Sequence, residues 1–150
     1  MSLRSLFPLL AIALAGCNGP IGLMSGGALE GESRPAPEDW SFAGDYGTAQ
    51  LETQPAEPYS VNLAYTIVDG VLYVNAGGSE TQWVKNMSAD PRVRLRLDGV
   101  LYELRAERVT DEDEIAAFSR AWLAQSTFRR DPQGYDEVWI YRLTPRRGSA

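Results

Sequence analysis

The chain has 150 residues, 44% of them apolar and 23% charged, with a formal net charge of −6. That length and composition suit one folded domain with a real core, and exclude both two comfortable domains and a globally disordered chain. The acid excess leaves no surplus of Lys and Arg to neutralise a phosphate backbone, which argues against nucleic acid as a partner.

Residues 1–16 read as a processed leader. Arg4 supplies a positive start and residues 6–14 a short apolar stretch, too brief to span a bilayer as a stable helix. Leu14-Ala15-Gly16-Cys17 then sets small residues directly before the only cysteine in the chain. This resembles the lipobox of bacterial lipoproteins, which implies cleavage before Cys17 and lipidation of its thiol. By the same resemblance, Asn18 in place of an aspartate points to the outer membrane of the cell envelope, facing the periplasm. Residues 1–16 carry Arg4 and no acid, so their removal takes the charge from −6 to −7. With Cys17 lipidated, no disulfide can form within the mature chain, and stability has to come from packing.

Residues 17–38, rich in Gly, Pro, Ser and Glu, read as a flexible tether to a domain at 39–150. Trp40 and Phe42 are the first expected docking points. Residues 48–53 alternate as a first strand, and Pro55 and Pro58 break the pattern after it.

Two hairpins of one design follow. Residues 60–68 and 71–76 flank Asp69-Gly70, and residues 93–97 and 100–109 flank Asp98-Gly99. An Asp-Gly pair between apolar runs predicts a two-residue turn, which fixes register. Ile67 then faces Leu72 and Tyr65 faces Val74. In the second hairpin Leu95 faces Tyr102, Val93 faces Leu104, and Arg94 faces Glu103 as an ion pair on a solvated side.

Between the hairpins, Ser79-Glu80-Thr81-Gln82 matches a capping box, with Ser79 as N-cap of a short helix that Pro91 stops. Thr110 or Asp111 caps a second helix with acids in its first turn and Ile115, Phe118 and Trp122 along one stripe. Residues 137–144 form a last strand, apolar on both faces. The order predicts a mostly β domain: an antiparallel split β-barrel of about six strands with two helices at the connections.

Histidine is absent and the one cysteine is assigned to lipid, so Ser-His-Asp and Cys-His catalysis and His/Cys zinc sites are excluded. The acids at 111–114 lack the spacing of a calcium loop, and no metal site is expected. The remaining chemistry lies at Gly77, Gly78, Ser79 and Thr81. These residues lead into a helix start whose N–H groups and dipole suit a small anionic ligand, with Lys85, the only lysine, close by.

Ala76-Gly77-Gly78, then Trp83, Asn86, Ala89-Asp90-Pro91 and Val93, resembles the flavin- and deazaflavin-binding split-barrel superfamily. That group includes the pyridoxamine-phosphate-oxidase-like proteins, and the nearest branch is similar to the deazaflavin-dependent nitroreductases. The resemblance implies FMN or F420 held at a barrel edge, hydride transfer to a small substrate such as a nitro compound or quinone, and a homodimer. It makes Gly77, Gly78, Ser79, Thr81, Lys85 and Asn86 the cofactor-binding candidates. The segment 52–58 is acidic and proline-rich where that branch carries a basic one, which ranks FMN above F420. On that ground, and because an exported chain must acquire its cofactor outside the cell, a binding or interaction module without redox cofactor is the first expectation. A flavin-type reductase is the alternative.

Overall fold

The computed structural model describes residues 18–77 and 80–147. Seven strands, β1 (Glu32–Arg34), β2 (Tyr46–Thr53), β3 (Tyr59–Val68), β4 (Val71–Asn75), β5 (Arg92–Leu97), β6 (Val100–Arg108) and β7 (Ile140–Pro145), combine with α1 (Gln82–Ala89) and α2 (Glu112–Ala124). Six of the strands close into an antiparallel barrel in the order β2-β3-β4-β7-β6-β5, with β5 returning to β2. This is the split barrel expected from the sequence, with β1 added to it.

Both Asp-Gly turns set the register as their chemistry requires. Asp69 and Gly70 take φ of 50° and 77°, and Asp98 and Gly99 take 48° and 81°, the positive pair of a type I′ turn. Ile67 pairs with Leu72, Tyr65 with Val74, Leu95 with Tyr102 and Val93 with Leu104. The alternation then turns Leu51, Leu72, Val74, Leu95, Leu104 and Leu143 into a dry barrel interior.

A second, smaller core lies outside the barrel wall. Tyr73 and Ile140 project from β4 and β7 and pack with Val109 beneath Phe118 of α2. Asp111 is the N-cap, accepting from the Glu114 N–H at 2.9 Å. Polar bonds fasten the same contact. Tyr73 donates to Glu114 Oε1 at 2.8 Å, and Arg142 bridges Glu114 Oε2 (2.6 Å) and Glu107 Oε2 (3.0 Å).

The structure departs from the sequence reading in four places. Residues 18–38 are not a free tether, because Leu29 is buried and Gly26 exchanges two backbone bonds with Ser60. Within them β1 runs parallel to β6, Glu32 pairing with Val100 and Arg34 with Tyr102. It occupies the part of that edge left open by β7, which pairs only with residues 104–108.

Second, α1 begins at Gln82 with Thr81 at its N-cap, and no side chain among the described residues caps it. Gln82 donates from Nε2 to Asn86 Oδ1 (2.9 Å). Ser79, the expected cap, lies outside the described residues. Third, the last strand starts at Ile140, not at 137.

Fourth, Arg94 and Glu103 do face each other in register, but the Arg94 side chain turns to the opposite neighbour. Its guanidinium grips Glu52 of β2 at 2.6 and 2.8 Å, with Glu52 only 4% exposed. Glu52 also accepts from the Leu29 N–H (2.7 Å), and Arg94 donates to the Leu29 carbonyl (3.0 Å). Barrel closure places β2 beside β5 and supplies a better-desolvated partner than an exposed Glu103.

Candidate functional site

The candidate residues occupy the crossing from β4 to β5. After Asn75 the chain leaves the sheet, passes Gly77, enters α1 at Thr81 and returns through Asp90-Pro91. Gly77 is exposed, with open space where a Cβ would stand. Gly78 and Ser79 lie outside the described residues, as does Cys17.

The apolar side of α1 fixes this crossing. Trp83, Val84 and Met87 are buried and join the barrel core, so the helix closes one end of the barrel. Asn86 is buried as well, and it points inward. Its Nδ2 donates to Thr53 Oγ1 (3.0 Å), and that hydroxyl donates to the Tyr59 carbonyl (3.2 Å). With Gln82 on its Oδ1, Asn86 latches α1 to the β2–β3 connection. It positions the site from beneath.

Asp90 works similarly at the exit. Its carboxylate accepts from Arg92 Nη2 (2.6 Å) and from the Arg92 backbone N–H (3.1 Å). The Arg92 hydrogen bonds hold its pKa down to about 2. The Ala-Asp-Pro triplet is thus a structural turn lock between α1 and β5.

Two groups here have bonding capacity to offer. The Thr81 hydroxyl oxygen is buried and has no hydrogen-bond partner among the described residues. Lys85, one turn further along α1, is exposed and forms no ion pair among the described residues. A hydroxyl, an ammonium and the N–H groups of a helix start are each groups that donate to anions. The structure therefore brings Thr81 and Lys85 to one helix start, with Gly77 on the approach, and commits Asn86 to the interior.

Sequence reasoning missed a second cationic surface. Pairing of β6 with β7 gathers Arg105, Arg146 and Arg147 around an open basin of about 610 Å³, beside Glu38 and Glu107. Arg146 donates to the Val93 carbonyl (2.8 Å), while Arg105 and Arg147 are exposed. Its only sequence signal is a lone arginine on an exposed strand position and a basic end after Pro145. Among the described residues no three His, Cys, Asp or Glu side chains cluster as metal ligands.

A protein-family model described as F420H(2)-dependent quinone reductase matches residues 54–136, more than half of the chain, and spans the whole β4–α1–β5 crossing. The chain belongs to this family. Its fold is that of the pyridoxamine-phosphate-oxidase-like split barrels, as solved structures show at low identity. A conserved hypothetical protein of Mycobacterium tuberculosis is 23% identical over 67% of this chain and 73% of its own, with a TM-score of 0.51. A candidate pyridoxamine 5′-phosphate oxidase of Listeria innocua is 17% identical over 67% and 84%, with a TM-score of 0.50. A heme-binding protein of Mycobacterium smegmatis is 17% identical over 73% of this chain and 51% of its own, with a TM-score of 0.54. A search of curated proteins finds no significant match.

The family match does not support ranking FMN above F420. That ranking rested on acid in the segment 52–58, and the structure shows one of its two glutamates, Glu52, already neutralised by Arg94.

Proposed function

We propose that this protein is a reductase that binds a flavin or deazaflavin cofactor at the β4–α1–β5 crossing and passes hydride to a small quinone-like acceptor. The observation that carries the reading is the family match across residues 54–136, which favours it over the module without redox cofactor. The donor set agrees. FMN and F420 both carry phosphate, and the Thr81 hydroxyl, the α1 N–H groups and the Lys85 ammonium suit one such group. When bound, the cofactor supplies the two-electron chemistry.

The chain's own part is placement. Trp83, Val84 and Met87 hold α1 rigid against the barrel, and the Asn86–Thr53 bond fixes where Thr81 and Lys85 stand. The side chains placed here, Thr81 and Lys85, contribute orientation and charge.

The test is titration of the purified protein with FMN and with F420, followed by absorbance and fluorescence. One of the two is expected to bind. Thr81→Ala or Lys85→Ala should each weaken binding about tenfold, the worth of one charge-assisted hydrogen bond. Absence of binding by both cofactors would return the protein to the reading of an interaction module.

A further inference from the structure

We propose that the turn formed by residues 21–24 is a membrane-inserting foot, which seats the barrel directly on the bilayer that holds the lipid of Cys17. The proposal rests on lipidation of Cys17 and is independent of the cofactor reading.

Gly22, at φ 57°, makes the turn, and Ile21 and Met24 close it with two backbone bonds of 3.2 and 2.9 Å. The turn presents three large apolar side chains to solvent: Ile21, Leu23 and Met24 are 64%, 106% and 66% exposed. Among the described residues the other large apolar side chains exposed to this degree are Phe42 and Phe128, which lie far apart in the chain. A cluster of this kind on a water-soluble surface marks contact with something apolar.

The foot is built onto the barrel. Asn62 on β3 donates to the carbonyls of Pro20 (3.3 Å) and Gly22 (3.0 Å), and Gln50 of β2 steadies Asn62 (3.2 Å). The two arms of the turn are pressed together below it. Gly27 N–H donates to the Asn18 carbonyl at 2.6 Å, and a Cβ on Gly26 would come within 2.4 Å of the Gly19 carbonyl carbon. A disordered tether has no use for such fixings.

Position selects the occupant. Cys17 immediately precedes the first described residue and stands four residues before Ile21. Even fully extended, that stretch spans at most about 14 Å. The acyl chains and the three apolar side chains therefore enter the same lipid surface. The mature charge of −7 offers no attraction to anionic headgroups, so insertion depends on apolar burial and the anchor.

Because lipid occupies the thiol of Cys17, Leu23→Cys gives the lipidated protein one free thiol, at a side chain that packs against nothing. Labelled there with an environment-sensitive nitrobenzoxadiazole dye, the protein is reconstituted into phosphatidylethanolamine vesicles containing a minority of phosphatidylglycerol. Emission should move to the blue, and spin-labelled lipid should quench it at least about twofold. The same dye at Ser88→Cys, exposed on α1, should stay water-like. Water-like emission from residue 23 in the lipidated protein overturns the proposal. So does thiol labelling of the unsubstituted chain, which would show Cys17 free of lipid. Neither readout reports cofactor uptake at Thr81 and Lys85, so the two readings fail separately.

Discussion

Glu52 and Arg94 show how much a single pair can be asked to hold. Glu52 is a nearly fully buried carboxylate with three hydrogen bonds, two from Arg94 and one from the Leu29 backbone. Such a pair is weak evidence for stability against an apolar replacement, yet breaking one side of it strands a buried charge. Arg94→Ala should therefore cost about 3 kcal/mol, the lower end for a buried pair because Arg94 keeps partial solvent access. Glu52→Gln with Arg94→Met should recover most of that loss. Denaturant midpoints of the three variants check both statements. A loss below about 0.5 kcal/mol for Arg94→Ala would mark the pair as an ordinary surface contact. The same residue shows where sequence reading stops. Local register paired Arg94 correctly with Glu103 on its own hairpin, but β2, on the other side, arrives only through closure of the whole barrel.

Among the elements, the hairpins and α2 were legible because their signals are local. An Asp-Gly pair needs no distant partner to set its turn, and Asp111 finds its N–H three residues away. By contrast, β1 has three exposed polar residues and no alternation to read. It becomes a strand because β7 leaves the first part of one edge of β6 unpaired, and unpaired strand edges attract whatever backbone can reach them. Residues 18–38 hold four large apolar side chains, Ile21, Leu23, Met24 and Leu29, and nothing local says that Leu29 alone is buried, which is too little to distinguish a docked strap from a tether. Hydrogen exchange separates the two. The amides of Gly26, Gly27 and Leu29, each bonded in the structure, should exchange at least about a hundredfold more slowly than an unstructured chain. Exchange at the unstructured rate would restore the tether. At the candidate site the same division holds. Trp83 and Asn86 were visible as a motif, while their inward orientation depends on the barrel end that α1 covers.

For the molecule as a whole, the attachment of α2 to the barrel gives a pH dependence. Tyr73 sits where burial, then its bond to Glu114 and that group's charge, push its phenol well above the usual tyrosine range. The folded state thus favours the protonated phenol more than the unfolded chain does. Its contribution is complete below about pH 10, the unfolded value, and is lost as pH climbs beyond it towards the folded one. Stability above pH 10 should fall by up to about 1.4 kcal/mol per pH unit from this group alone. Tyr73→Phe should start somewhat less stable at neutral pH and decline less steeply in alkali. Parallel alkaline slopes for the two proteins would show that Tyr73 is not the group responsible.

The parallel seam between β1 and β6 also bears on the order in which the chain can fold. The Leu29 carbonyl and the Arg94 guanidinium that grips it are 65 residues apart. β1 therefore has no edge to join until the second hairpin exists, and closing so long a loop before the barrel forms would cost entropy with little return. Residues 32–34 are then among the last to take their places. The expected order is hairpins first, then barrel closure, with β1 laid last into the remaining edge of β6.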